Sequence, residues 1–117
     1  MDDISRINVG VRLSDVSIFN NVAYLAGQVP RKTLEDDIKA QTAEVLATID
    51  GLLELVGSNK GRILSCQIFL RDIAHIADMN SVWDAWIPAG HCPSRATVQA
   101  LMANPKTGIE IVLNAAL

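Results

Sequence analysis

Arg95 and Glu110 are the residues of this sequence whose types and surroundings suggest chemistry. Arg95 opens the run Arg95-Ala96-Thr97-Val98-Gln99, and Glu110 interrupts the apolar run Ile109-Glu110-Ile111-Val112. A charge set in a half-buried strand is costly unless it is exposed, paired or used. A guanidinium is a planar fork that takes a carboxylate through two parallel hydrogen bonds. The residues leave two readings open: the two side chains face solvent or pair with each other across a hairpin, or they are put to use in a site.

Other chemistries find few candidates. His75 and His91 are the only histidines, a whole predicted helix apart and with no third ligand at a useful spacing, so no metal site is expected. His75 is read as capping or preceding that helix and His91 as lying on an exposed loop. Cys66 falls in an apolar strand pattern and Cys92 in a loop; both are expected to be free thiols. No G-x-S-x-G elbow, G-x-G-x-x-G fingerprint or phosphate loop occurs, which favours an activity without a cofactor.

These side chains must be positioned by a small scaffold. The chain has 117 residues, enough for one domain over 1–117 with a single core. Half of the residues are apolar but only five are aromatic, so Ile, Leu, Val and Ala must build the interior. So short and apolar a chain is expected to bury further surface by self-association. Ten Lys and Arg against thirteen Asp and Glu give a net charge of −3, which argues against nucleic acid as a partner. The start Met1-Asp2-Asp3 lacks the basic and apolar stretches of a secretion signal, and no run is long enough to span a bilayer. A soluble, cytoplasmic protein is expected.

The elements follow from periodicity. Val16–Phe19 and Val22–Val29 flank Asn20-Asn21, a pair suited to a tight hairpin turn, and Pro30 closes the second run. Thr33 followed by Glu35, Asp36 and Asp37 predicts a helix start. The stripe Ile38, Val45, Leu46, Ile49, Leu52, Leu53 and Val56 carries that helix to a stop at Gly57. Leu64, Cys66, Ile68 and Leu70 alternate with Ser65, Gln67, Phe69 and Arg71 as a central strand. Ile76, Met79, Val82, Trp83 and Trp86 form a second helical stripe. Ala96–Met102 and Ile109–Leu117, joined by Asn104-Pro105-Lys106-Thr107-Gly108, predict a closing hairpin. The order β-β-α-β-α-β-β implies an α+β fold, a mixed sheet with both helices on one face and a second, largely apolar face left for an oligomer.

Four segments at consistent spacing carry a resemblance to the RidA (YjgF-type) family of enamine/imine deaminases, covering roughly residues 5–117. They are Val22-Ala23-Tyr24-Leu25-Ala26-Gly27-Gln28-Val29-Pro30, Asp78-Met79-Asn80-Ser81-Val82-Trp83, Pro93-Ser94-Arg95-Ala96-Thr97-Val98, and Ile109-Glu110-Ile111 with Ala115-Ala116. The resemblance implies a homotrimer of chorismate-mutase-like subunits with ligand clefts between them. It places the family's carboxylate-binding arginine on Arg95, its water-positioning glutamate on Glu110, its ligand-side glycine on Gly27 and its helix asparagine on Asn80. The implied reaction is hydrolysis of amino-acid-derived enamines or imines to 2-keto acids and ammonia. The chain departs from the pattern where Ala26 replaces a serine, where Thr97 replaces a cysteine, and where Val11-Arg12-Leu13-Ser14 offers no tyrosine. These pocket changes leave room for another substrate, or for a module that binds 2-keto acids without catalysis. Arg12 is read as a solvated surface residue, with a second cation at the pocket as its alternative. Endoribonuclease activity, a third reading, is opposed by the acidic balance.

Overall fold

The computed structural model describes residues 3–117; Met1 and Asp2, which enter the expectation of a signal-free start, lie outside the described residues. The elements are β1 (Ser5–Val9), β2 (Ser14–Phe19), β3 (Val22–Leu25), α1 (Ile38–Leu55), β4 (Ile63–Leu70), α2 (Ile76–Trp86), β5 (Ser94–Gln99) and β6 (Ile109–Ala116). The strands form one mixed sheet in the order β1-β2-β3-β6-β4-β5. Both helices pack on one face of it, as the two helical stripes require. The core joins Val45, Leu46, Ile49 and Leu53 of α1 and Met79 and Trp83 of α2 to Ile68, Leu70, Ile109 and Ile111 of the sheet.

The order of elements gains one strand over the sequence reading. β1 carries a single half-buried apolar residue, Ile7, so no alternation marked it. Its place comes from backbone pairing with β2, which sets Ile7 opposite Val16. The turn after β2 is as expected: Asn20 and Asn21 have φ of 50° and 62°, the left-handed pair that a tight hairpin demands.

Helix α1 begins later than Thr33. The capping residue is Asp37, whose carboxylate accepts from the Ala40 N–H at 2.9 Å. Thr33 is drawn elsewhere, because its N–H and hydroxyl both donate to the Glu44 carboxylate, at 3.0 and 2.7 Å. The N–H groups of Arg31 and Lys32 donate to the same carboxylate. Partial desolvation raises the Glu44 pKa, but the hydrogen bonds from Thr33, Arg31 and Lys32 outweigh it and hold the pKa below its ordinary value. A depressed carboxylate pKa stabilises the fold above the ordinary glutamate range, and that stabilisation is lost as pH falls through the depressed value. Glu44→Gln is therefore expected to lower the thermal midpoint by on the order of 5 °C near neutral pH. The gap to wild type should close in acid, which circular dichroism melts across pH would check.

Strand β4 also departs from simple alternation. A register shift between Ile63 and Ser65 turns Ile63 inward and leaves Leu64 48% exposed, so Leu64 is not a core residue. Cys66, Ile68 and Leu70 then face the helices as expected.

The predicted closing hairpin is incorrect. β5 and β6 are not neighbours, since β4 lies between them, parallel to β5 and antiparallel to β6. A parallel β4–β5 pair needs a crossover, which α2 supplies, and the slot on the other side of β4 is then filled by β6. The segment 104–107 does turn, with the Thr107 N–H donating to the Asn104 carbonyl, but it spans the end of β4. Arg71, just beyond β4, fastens this span by donating to the carbonyls of Met102, Asn104 and Thr107.

Candidate functional site

Arg95 stands on β5, an edge of the sheet, opposite Cys66 of β4. Side chains paired in register share a face, and Cys66 is buried toward the helices. The Arg95 side chain therefore runs toward α2. Its Nη2 donates to Asn80 Oδ1 at 2.8 Å, and its guanidinium carbon lies 5.1 Å from the Trp83 ring centroid. These contacts line a cavity of about 270 Å³, shared with Asp84, Cys92 and Pro93. Among the described residues the sole ion pair joins Lys106 to Glu35, so none of their carboxylates, Asp84 of the same cavity included, forms an ion pair with this guanidinium.

Glu110 stands on β6 opposite Phe69 of β4 and so points to the other face of the sheet. It borders a small concavity of about 200 Å³ with Phe69, Ala100, Leu101 and Met102. Its carboxylate lies against Gly27: a methyl group at that position would sit 2.9 Å from Glu110 Cδ and 3.3 Å from Cγ. The backbone brings them together. Pairing moves from Tyr24 opposite Asn114 to Gln28 opposite Ile111, four residues on one side against three on the other. The extra residue releases Ala26 and Gly27 from the regular ladder. Ala26 is tied in place by its N–H, which donates to the Asp15 carbonyl, and by its carbonyl, which accepts from Gln28 Nε2.

The structure thus makes two pairs, Arg95 with Asn80 and Gly27 with Glu110, and does not bring the pairs together. Arg95 and Glu110 are two strands apart, on opposite faces and roughly 14 Å apart along the backbone by strand spacings. The cross-hairpin pairing left open by the sequence is excluded by β4 between them. Thr97 shares the helix-side face with Arg95, opposite Ile68, and its hydroxyl oxygen is buried with no hydrogen-bond partner.

Three further titratable side chains flank the Arg95 pair: Cys66 opposite it in register, and Asp84 and Cys92 lining the same cavity. Burial pushes the Cys66 thiol up to about 12, against the opposing pull of Arg95, so it stays protonated. Cys92 is exposed, and both thiols are free. His75 occupies the position before α2 without a capping bond from its side chain, and His91 is exposed. Arg12 is exposed in the β1–β2 loop. No cluster of three or more metal-ligating side chains occurs among the described residues. No helix among them is long and apolar enough to cross a membrane.

Sequence reasoning placed Trp83 in the core stripe and missed that its face carries Arg95. The signal was available: Asn80 and Trp83 are three residues apart and share one side of α2. It also took the sheet's open face as largely apolar. That face mixes Tyr24, Ala96 and Val112 with Ser65, Gln67 and Asn114 around a cavity of about 490 Å³.

The comparisons with known proteins agree with this architecture. Residues 4–117 match the family model described as endoribonuclease L-PSP. A RutC family protein of Haemophilus influenzae is 52% identical over 110 residues, covering 94% of this chain and 95% of that one. The RutC family protein YoaB of Escherichia coli K12 is 51% identical over 114 residues, covering 97% and 98%. Among solved structures, a YjgF-family protein of Neisseria meningitidis superposes with a TM-score of 0.89 at 40% identity, covering 97% of this chain and 94% of the other. A Rid-family protein of Yersinia pestis gives 0.88 at 25% identity, covering 97% and 99%. With the fold, the segments around Gly27, Asn80, Arg95 and Glu110 and these matches in agreement, the chain belongs to the YjgF/RutC family of Rid proteins.

Proposed function

We propose that this protein hydrolyses reactive enamines and imines derived from amino acids, yielding 2-keto acids and ammonia, in clefts assembled between copies of the chain. The observation that carries the reading is Arg95: a guanidinium held by neutral groups at a cavity edge, with no carboxylate partner among the described residues. Such a group is suited to a substrate carboxylate, which it takes by charge-assisted hydrogen bonds. Glu110, lodged against Gly27 on the other face, is suited to orient a water and accept its proton.

Because the two lie on opposite faces, a working site takes Arg95, Asn80 and Thr97 from one copy and Gly27 and Glu110 from a neighbour. The family resemblance supports a homotrimer as this assembly. Exposed apolar side chains support it: Val98 on the open face, Val11 and Leu13 in the β1–β2 loop, and Leu101 after β5.

In the reaction, an enamine first tautomerises to its imine. Water then adds to the imine carbon, forming the new C–O bond and passing one proton to Glu110. That proton goes on to the nitrogen, giving a carbinolamine; the hydroxyl proton then passes by way of Glu110 to the same nitrogen, the C–N bond breaks, and ammonia leaves as the carbonyl forms. The substrate is already electrophilic, so orientation and electrostatic support suffice and this chemistry calls for no cofactor.

The test is loss of freshly generated 2-iminopropionate, followed by semicarbazide trapping with and without protein. Faster imine loss that saturates with substrate is expected. Binding of pyruvate without faster imine loss would leave only a metabolite-binding module, a reading supported by the lost hydroxyl at Ala26 and the unpartnered Thr97 hydroxyl. The family model's description favours one rival, endoribonuclease, which the net charge of −3 opposes. RNA cleavage by purified protein that disappears in Arg95→Ala would restore it.

A further inference from the structure

We propose that Trp83 is the positioning residue of this site, a fixed indole shelf on which the Arg95 guanidinium is laid so that its free N–H edge meets the incoming anion. The inference rests on the carboxylate-capture reading above. An arginine on an exposed edge strand has a long stem and many rotamers, and an unheld guanidinium would have to be ordered each time a substrate binds. Here two groups from one side of α2 hold it, an amide oxygen at one N–H and an aromatic ring beneath its central carbon. Asn80 accepts a hydrogen bond from Nη2 at 2.8 Å, and the Trp83 ring lies 5.1 Å from the guanidinium carbon.

Both holding groups are neutral. A carboxylate in either place would fix the arginine but would also satisfy its charge and compete with the substrate's own carboxylate. An aromatic face attracts a cation through its quadrupole and uses no N–H donor. An amide oxygen takes one donor of five. The rest of the fork remains available in the guanidinium plane.

The shelf is itself anchored. Trp83 is 4% exposed and belongs to the core, so its ring cannot swing away. Trp86 packs against it with ring centroids 5.5 Å apart at 54°, and Trp86 Nε1 donates to Asp50 Oδ2 of α1 at 2.9 Å. The arginine is thereby indexed through α2 to α1, and from there to the frame of the domain. Trp83 touches neither the carboxylate nor the reacting carbon and acts through Arg95.

The test compares Trp83→Phe and Trp83→Leu with wild type in two measurements. The first is the Arg95 Nε–H resonance in ligand-free protein, which a ring above the guanidinium displaces upfield. The second is the affinity for pyruvate by calorimetry, beside KM and kcat for 2-iminopropionate. The wild-type resonance is expected to be displaced, less so in Trp83→Phe and not in Trp83→Leu. Pyruvate affinity should fall about tenfold in Trp83→Leu and within about threefold in Trp83→Phe, the loss appearing mainly in KM. An undisplaced Arg95 resonance in the wild type overturns the proposal, and this arm decides even where Trp83→Leu fails to fold. Pyruvate affinity indifferent to both substitutions overturns the positioning role alone. A wild type that binds no pyruvate fails the capture reading and the positioning role together.

Discussion

Arg95→Ala is expected to lower kcat/KM for 2-iminopropionate by about 10²- to 10⁴-fold while leaving fold and assembly intact. The magnitude follows from losing two charge-assisted hydrogen bonds to a desolvated carboxylate, roughly 1.5–3 kcal/mol each. The fold should survive because Arg95 is an exposed residue on an edge strand and joins no ion pair among the described residues. Arg95→Lys should recover part of the loss, since an ammonium keeps the charge but not the planar fork. The check is steady-state turnover of the imine, with a thermal melt and sedimentation on the same preparations. Wild-type turnover by the alanine variant would reject the carboxylate clamp.

Gly27→Ala should separate catalysis from stability in the opposite way. Gly27 does not have a positive φ, so alanine fits the backbone there and should leave stability unchanged or raise it by about 0.4–1 kcal/mol through the unfolded chain. The added methyl group, however, meets the carboxylate end of Glu110, which must move. A displacement of order 1 Å in a group that orients the attacking water costs about a hundredfold in rate. The expected variant is thus as stable as wild type, binds pyruvate comparably through Arg95, and turns over imine about a hundredfold more slowly. Shortening the carboxylate by Glu110→Asp in the same protein should relieve the clash and return part of the activity, a coupling that two independent sites would not show. Undiminished turnover in Gly27→Ala would remove Glu110 from the chemistry.

The two substitutions probe different halves of one site. Arg95 sits on the helix-side face with Asn80 and Trp83, and Glu110 sits on the open face with Gly27. If both losses are large, the halves must meet, and in one copy of the chain they do not. Mixed assemblies of Arg95→Ala and Glu110→Gln chains would then regain activity at those interfaces where an intact Arg95 faces an intact Glu110.

Much of the architecture is legible in the residues themselves. Both helices follow from apolar stripes at helical spacing, because a helix buries one side. The Asn20-Asn21 turn follows from the ease with which asparagine adopts positive φ. The segments around Gly27, Asn80, Arg95 and Glu110 are enough to suggest the family and the residues to watch. What periodicity cannot supply is long-range pairing. Strand β1 has one inward apolar residue and is held by β2; the bulge in β4 reverses Leu64; and the slot between β3 and β4 is taken by β6 instead of by the next strand in sequence. Each is decided by backbone hydrogen bonds between distant segments, which leave no mark in local side-chain pattern. For the same reason the sequence could name Arg95 and Glu110 but not their faces: β4 between them, and the parity of each strand's register, put the arginine with Trp83 and the glutamate with Gly27.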